Sequence, residues 1–340
     1  MHHGNVSPEI AAGLLALRKG IADAKIPSSQ LDESINVAVW NVREFGKKHR
    51  TDAALHYIAE ILGQFDLVGL VELRDDLTDL GCVLCYLGPS WQILYSDWMD
   101  DGGGNHERVG FLYDSRAVTF NGLAAEIDAP RSKQESEYVP TGSFWRAPYM
   151  CSFRAGNFDF IVIATHARWG NSTAKRAAEL KMLAEWIDTR FKSNFVEDHD
   201  LIVMGDLNTP RMDDSLFQGL TGSGLQVPSA LVHLKAGDRA VEGSNLDENA
   251  RYDQILHLPT NEKRFSNNAG TLDFFGGGDA IKELFPGKSY TREQFTFQLS
   301  DHFPVWIQIN TDIDGQRLDQ IVQDGLETAA TRSAAKPRRR

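Results

Sequence analysis

Leu201-Ile202-Val203-Met204-Gly205-Asp206-Leu207-Asn208 reads as a short apolar strand that runs directly into a carboxylate and an amide. A nearly continuous apolar run marks a strand buried on both faces, and here the polar stop follows at once. The same grammar recurs along the chain. Ile35-Asn36-Val37-Ala38-Val39-Trp40 ends in Asn41, and Asp66-Leu67-Val68-Gly69-Leu70-Val71 ends in Glu72-Leu73-Arg74. The run 158–164 ends in Thr165-His166, and Ser300 leads into Asp301-His302 ahead of the apolar stretch 303–309. Burying a carboxylate without a partner costs several kcal/mol. Strand ends of this kind therefore predict convergence on a shared counter-charge, for which a divalent cation is the simplest candidate.

Around these strands, helices are predicted over residues 8–24, from Thr51 as N-cap through Leu55, Ile58, Ala59 and Leu62, and around Leu180, Leu183, Ala184 and Ile187. Residues 252–258 read as a further strand. Gly102-Gly103-Gly104 and Gly276-Gly277-Gly278 carry no Lys-Ser/Thr of a phosphate loop and read as flexible surface loops. From Thr311 a weak amphipathic helix (Leu318, Ile321, Val322) precedes a Ser/Ala/Lys/Pro/Arg tail expected to be disordered. A chain of 340 residues suggests two domains on length alone. Strands and helices nevertheless mix throughout without a compositional break. The expected organisation is an N-terminal helical extension (1–34), one catalytic domain (35–310), and a C-terminal helix with a basic tail (311–340).

Hydrophobic residues at 42% and charged residues at 24% exclude fibrous and wholly disordered classes. No apolar run reaches the roughly 18 residues of a membrane helix, and Met1-His2-His3-Gly4-Asn5-Val6 lacks a basic segment followed by a long apolar stretch, so no secretory signal peptide is expected here. Three cysteines cannot build a disulfide framework and fit a reducing, cytoplasmic setting. Cys82 and Cys85 have CxxC spacing, but no second pair completes a zinc set, so they are expected to be buried, inert thiols. The 35 basic residues against 47 acidic ones give −12, the wrong sign for gripping nucleic acid by charge alone. With Arg332, Lys336, Arg338, Arg339 and Arg340 set aside, 30 basic residues face 47 acidic ones. A phosphate-binding site in that body needs a local reversal of sign, which a carboxylate-held cation would supply.

The donor types narrow the cation. Asn41, Glu72, Asp206, Asn208 and Asp301 are hard oxygen ligands, which favour Mg²⁺, Mn²⁺ or Ca²⁺ over structural zinc. Mg²⁺ takes one or two carboxylates and keeps waters, so not all five need touch it.

These residues resemble the endonuclease/exonuclease/phosphatase superfamily, and within it the deoxyribonuclease I-like branch. The resemblance is carried, in chain order, by Val39-Trp40-Asn41-Val42-Arg43, Val71-Glu72-Leu73-Arg74-Asp75, Glu107-Arg108-Val109-Gly110-Phe111-Leu112-Tyr113 and Phe144-Trp145-Arg146-Ala147-Pro148-Tyr149. It continues through Thr165-His166, Gly205-Asp206-Leu207-Asn208, Tyr252-Asp253-Gln254-Ile255 and Ser300-Asp301-His302-Phe303-Pro304-Val305. It implies an α+β fold, a four-layer α/β/β/α sandwich with the site where strand ends meet at one edge.

The resemblance also implies roles. His302 paired with Asp253 would be the general base, and His166 paired with Glu107 the acid or transition-state donor. Glu72 would be the main metal ligand, supported by Asn41 and by Asp301 directly or through water. Asp206 and Asn208 would hold the attacking water or a phosphoryl oxygen and could bind a second metal, while Arg74 and Arg146 would clamp phosphate. One position departs from the pattern: the branch has a minor-groove tyrosine two residues before the glutamate matching Glu107, where this chain has Asn105. The expected function is a divalent-metal-dependent endonuclease, cleaving DNA with little sequence preference and acting as a monomer. The alternatives are a phosphomonoesterase or phosphodiesterase on a small or lipid phosphate, such as an inositol phosphate or sphingomyelin, and a catalytically dead binding module. The basic tail reads either as a tether to nucleic acid or as a solvated charge run.

Overall fold

The computed structural model describes residues 2–98, 105–211, 215–232 and 243–334. Gly102-Gly103-Gly104 and the basic tail beyond residue 334 lie outside the described residues. In chain order the strands are β1 (Ser34–Phe45), β2 (Leu67–Leu73), β3 (Trp91–Tyr95), β4 (Arg108–Asp114), β5 (Thr119–Glu126), β6 (Arg131–Gln134), β7 (Glu137–Pro140), β8 (Tyr149–Ala155), β9 (Phe158–His166), β10 (Leu201–Asp206), β11 (Asp253–His257), β12 (Phe265–Thr271) and β13 (Val305–Asn310). The helices are α1 (Pro8–Asp23), α2 (Asp52–Leu62), α3 (Thr78–Leu87), α4 (Thr173–Phe191), α5 (Ser215–Thr221), α6 (Ser229–Val232), α7 (Ala280–Leu284), α8 (Arg292–Gln298) and α9 (Asp314–Ala334).

Alternation along the buried strands decides the layering. In β1, Val37 and Val39 face a cluster shared with Phe153, Phe160, Val162 and Met204 of the other sheet, while Ala38 and Trp40 face the helices. One sheet runs β12-β13-β1-β2-β4-β3, the other β11-β10-β9-β8-β5, and β6-β7 forms a separate ribbon. Helices α1, α2, α3, α7 and α8 pack on the outer face of the first sheet, and α4 and α5 on that of the second. The result is the four-layer α/β/β/α sandwich of an α+β fold. Within each sheet one pair is parallel, β1 with β2 and β9 with β10, and the flanking pairs are antiparallel. The C-terminal ends of β1, β2, β9 and β10 and the N-terminal ends of β4, β11 and β13 therefore lie at one edge. That edge collects the polar stops.

Thr51 caps α2 as expected, its side chain accepting from Ala54 N. Helix α1 packs Leu14, Leu17 and Ile21 into the outer core against α2 and α7. Gly13 is the point of closest approach: an added methyl would overlap the hydroxyl of Tyr57, which donates to Leu284 O at 2.6 Å. Gly13→Ala is therefore expected to lower unfolding free energy by about 1–3 kcal/mol despite the better helix propensity of alanine. Urea unfolding measures this, and Tyr57→Phe in the same background should recover part of the loss by removing the clashing oxygen.

Two expectations are corrected. Cys85 is exposed and Cys82 half-buried, because α3 turns Leu80, Val83 and Leu87 inward and leaves 82 and 85 on other faces; only Cys151 is buried. Gly276-Gly277-Gly278 lies at the surface as expected but makes a short 3-10 turn, with Gly277 at φ 68°, leading into α7.

Candidate active site

The register of the second sheet lines up three of the polar stops. Asp206 is the pairing partner of His166 across β9 and β10 and of Asp253 across β10 and β11. Gly205, before Asp206, has φ +149°, and a side chain there would collide with Thr165 O. The close β9–β10 contact beside His166 thus needs glycine. Across the sandwich, the β1–β2 register shifts after Asn41 and the β2–β4 register shifts after Leu70, so the ladder opens where Glu72 sits at φ +64°. A non-glycine residue in this region is strained, and such strain persists where surrounding contacts hold it. Here Glu72 Oε2 accepts from Glu44 N at 2.8 Å and Oε1 from Asn41 Nδ2 at 2.8 Å.

Asn41 joins the two sheets' acids: the same Nδ2 also donates to Asp206 Oδ2 at 3.0 Å. His166 Nε2 lies 3.6 Å from Asp206 Oδ2 and 4.0 Å from Glu72 Oε1. Its Nδ1 meets Glu107 Oε2 at 2.9 Å. On the other flank His302 Nδ1 meets Asp253 Oδ2 at 2.6 Å, and the same oxygen accepts from Ser244 Oγ at 2.6 Å. The His302 segment is tied to β1 by Trp40 Nε1 donating to His302 O at 2.8 Å and by Ser300 Oγ donating to Asn41 O at 2.6 Å. Asn208 donates its backbone N to Asp206 Oδ1 and its Nδ2 to Ala167 O, both at 2.9 Å. Asp301 is further out, half-exposed and 3.8 Å from Arg43 Nε.

Burial sets the electrostatics. Burial would raise the Glu107 carboxyl, but the His166 bond and the Arg146 charge outweigh it and hold it at about 2. Burial opposes protonation of both imidazoles. The facing carboxylates override it, raising His166 through Glu107 and lifting His302 to about 10 through Asp253, with Asp206 and Asp301 adding to the pull. Asp253, fully buried, is pushed up by desolvation. The depressed Glu107 value has a stability consequence. Its contribution is complete above pH 4.5, the ordinary value, and is lost as pH falls towards 2. For a carboxyl this buried the loss amounts to roughly 3 kcal/mol. Denaturant titrations should therefore show the gap between wild type and Glu107→Gln narrowing between pH 5 and pH 2.

The sequence-predicted residues Asn41, Glu72, Arg74, Glu107, Arg146, His166, Asp206, Asn208, Asp301 and His302 surround one open cleft of about 830 Å³ or stand directly behind it, with Asp253 buried beneath His302. Arg146 differs from its expected use. It is 3% exposed, and its guanidinium is spent on Glu107, with Nη2 donating to Oε1 at 2.8 Å. Arg74, with Nη1 at 3.6 Å from Glu107 and 3.7 Å from Glu44, is less completely engaged. Sequence reasoning missed Ser244, which no pattern marks, and Arg43, Arg176 and Arg292, which also line the cleft from segments far apart in the chain. Asn105 stands at the rim and donates to Glu107 Oε1 at 3.4 Å.

A hard divalent cation fits these donors. Glu72 and Asp206 converge on one amide, and the buried Asn41 Oδ1 and Asp253 Oδ1 have no hydrogen-bond partner. Asp206, Asp253 and His302 also offer ligand atoms within 4.8 Å of one another.

A sequence profile described as the Endonuclease/Exonuclease/phosphatase family matches residues 38–335. The chain belongs to the Endonuclease/Exonuclease/phosphatase family. Its members hydrolyse phosphate esters, and the chain is an enzyme of that class. The chain is similar to deoxyribonuclease-1 of Bos taurus, at 23% identity over 291 residues, covering 82% of this chain and 94% of that protein. Its fold is similar to the human nocturnin catalytic domain, with TM-score 0.54 and 13% identity over 83% of this chain and 95% of that one. It is also similar to a Bacteroides thetaiotaomicron mannosyl-6-phosphatase, with TM-score 0.50 and 17% identity over 81% and 99%. No helix among the described residues is long and apolar enough to cross a membrane.

Proposed function

We propose that this family member is a divalent-metal-dependent endonuclease that cleaves DNA phosphodiesters with little sequence preference. The observation that carries the reading is two imidazoles, each bonded through Nδ1 to a buried carboxylate, on either side of Glu72, Asn41 and Asp206 in one open cleft. Glu72, Asp206 and Asn41 would hold Mg²⁺, or Mn²⁺ or Ca²⁺, with Asp301 and Asn208 as further ligands. When bound, such an ion supplies positive charge for phosphoryl oxygens and acidifies its water.

The chain's own residues do the rest. Asp253 fixes His302 with Nδ1 inward, leaving Nε2 to take a proton from the attacking water. Neutralising Asp206 and Asp301 weakens their hold on the His302 proton, which is the direction a base requires. Glu107 fixes His166 in the same sense, and its Nε2 faces the cluster to donate to a phosphoryl or leaving oxygen. Arg146 holds Glu107 in place, Arg74 lines the cleft as the guanidinium for substrate phosphate, and Arg43 adds charge beside it while bonded to Thr296 Oγ1 and laid over the Phe297 ring. The cleft places five arginines among six carboxylates, so a bound cation would be needed to turn its charge positive where phosphate enters.

The net charge and Asn105 favour the second reading, a phosphomonoesterase or phosphodiesterase on an inositol phosphate or sphingomyelin, a range consistent with the resemblance to a mannosyl-6-phosphatase. The three free thiols are compatible with a reducing, cytoplasmic setting. A substrate panel separates the readings: rates on supercoiled plasmid, single-stranded DNA, an inositol phosphate and sphingomyelin, each with Mg²⁺, Mn²⁺, Ca²⁺ or chelator. DNA turnover exceeding the others supports the endonuclease; turnover of a small ester with intact plasmid overturns it.

A further inference from the structure

We propose that Trp169 is a nucleobase-stacking platform at the rim of the catalytic cleft, and that the enzyme takes unpaired polynucleotide in preference to duplex. This rests on the nucleic-acid reading above. Trp169 is 78% exposed, against 36% for Trp98, and no aromatic ring or cation stacks on it among the described residues. It lies three residues after His166 and lines the same cleft. An indole left in water forgoes the burial that usually dominates tryptophan energetics.

The loop carrying it is fixed on both sides. Arg168 donates its backbone N to Glu179 Oε2 at 3.0 Å and lays its guanidinium 3.7 Å from the centre of the Trp145 ring. Glu179, buried, also accepts from Trp145 N at 2.8 Å. On the far side Gly170 O accepts from Arg176 Nη2 at 3.0 Å, and Thr173 N donates to Asn171 O at 3.0 Å. A pinned frame that presents an unpacked ring loses little entropy when a flat partner lands on it.

The surroundings supply a phosphate contact beside that ring. Helix α4 opens at Thr173 with no acid in its first turn and no side-chain cap from Ser172; Thr173 N is taken by Asn171 O, and the amides of Ala174 and Lys175 that follow face no capping side chain and can meet an anion. Arg176, 8% exposed, lines the cleft there with a buried Nε that has no partner. A base face on Trp169 and its phosphate at the start of α4 describe one nucleotide unit next to the catalytic histidine. In a duplex the base faces are covered by neighbours, whereas an unpaired strand exposes them; stacking on an aromatic side chain is sequence-tolerant.

The test uses the full-length protein in chelator, so that binding is read without turnover. Fluorescein-labelled oligo(dT) and a blunt duplex of equal length are titrated by anisotropy, with intrinsic tryptophan quenching recorded in parallel. Trp169→Ala should weaken oligo(dT) binding by about 5- to 150-fold, weaken duplex binding far less, and keep the wild-type unfolding midpoint. Trp169→Phe should retain most of the affinity but lose most of the quenching. With cation restored, the Trp169→Ala loss on single-stranded DNA should fall in KM more than in kcat. Wild-type affinity in Trp169→Ala, in a protein that cleaves DNA, overturns this proposal alone. Equal losses on oligo(dT) and duplex overturn the preference for unpaired strands. A wild type that neither binds nor cleaves any DNA while hydrolysing a small phosphate ester overturns the nucleic-acid reading and this proposal with it.

Discussion

His302→Asn is expected to lower kcat for plasmid nicking by at least about 100-fold, the scale of a lost general acid–base group, with the fold retained. Asparagine can still donate to Asp253 Oδ2 from near the position of His302 Nδ1, so the buried carboxylate keeps a partner. What is lost is Nε2. His302→Ala should be worse in a different way, because Asp253 is 0% exposed and would be left with Ser244 as its side-chain partner. Breaking a buried pair from one side costs on the order of 3 kcal/mol. Denaturant unfolding of the two variants beside their kcat values separates chemistry from stability. An asparagine variant as active as wild type would remove His302 from the mechanism.

Asp206→Asn should also cut nicking by at least about 100-fold, by removing one of two acids that converge on Asn41. In addition, the cation concentration for half-maximal rate should rise by at least about 10-fold, the scale seen when metal ligation is disturbed. The isosteric change is not silent. Asp206 accepts from Asn208 N through Oδ1 and from Asn41 Nδ2 through Oδ2, so an amide there must set its NH₂ against one of two donors. A metal titration of both proteins measures the shift. An unchanged half-saturation with a reduced rate would move Asp206 from cation binding to positioning of the substrate or of His166.

The architecture was legible because the apolar runs are unusually pure. Val37-Ala38-Val39 and Leu201-Ile202-Val203-Met204 are buried on both faces as their letters indicate, while the second packed sheet is legible only through the resemblance that the motifs carry. The candidate cluster was legible for the related reason that carboxylates directly following such runs must share counter-charge. What sequence could not give is how charges are spent once folded. Arg146 was expected at phosphate, but it comes to rest behind Glu107, where a buried carboxylate competes for its fork at 2.8 Å. Arg176 and Arg292 join the cleft through tertiary proximity that no spacing encodes, whereas Arg43 follows Asn41 by two residues on β1 and could have been read from strand alternation. Gly13 and Ser244 matter through contacts made across α1–α2 and ahead of β11, with no local pattern to announce them. Cys85 was misjudged because the apolar letters around it belong to the opposite face of α3.

The cleft arginines also change the meaning of the net charge. A body of −12 should repel a polyanion at long range, yet the site concentrates guanidinium groups around carboxylates that a cation would neutralise. Activity should therefore depend steeply on divalent metal. The most direct measurement is nicking of supercoiled plasmid by chelator-stripped protein as Mg²⁺ is restored, with Asp206→Asn and His302→Asn purified in parallel. No nicking is expected in chelator, with full recovery on Mg²⁺ for wild type and at least about 100-fold less for either variant. Nicking that persists in chelator, or that both variants retain, would contradict the proposed mechanism.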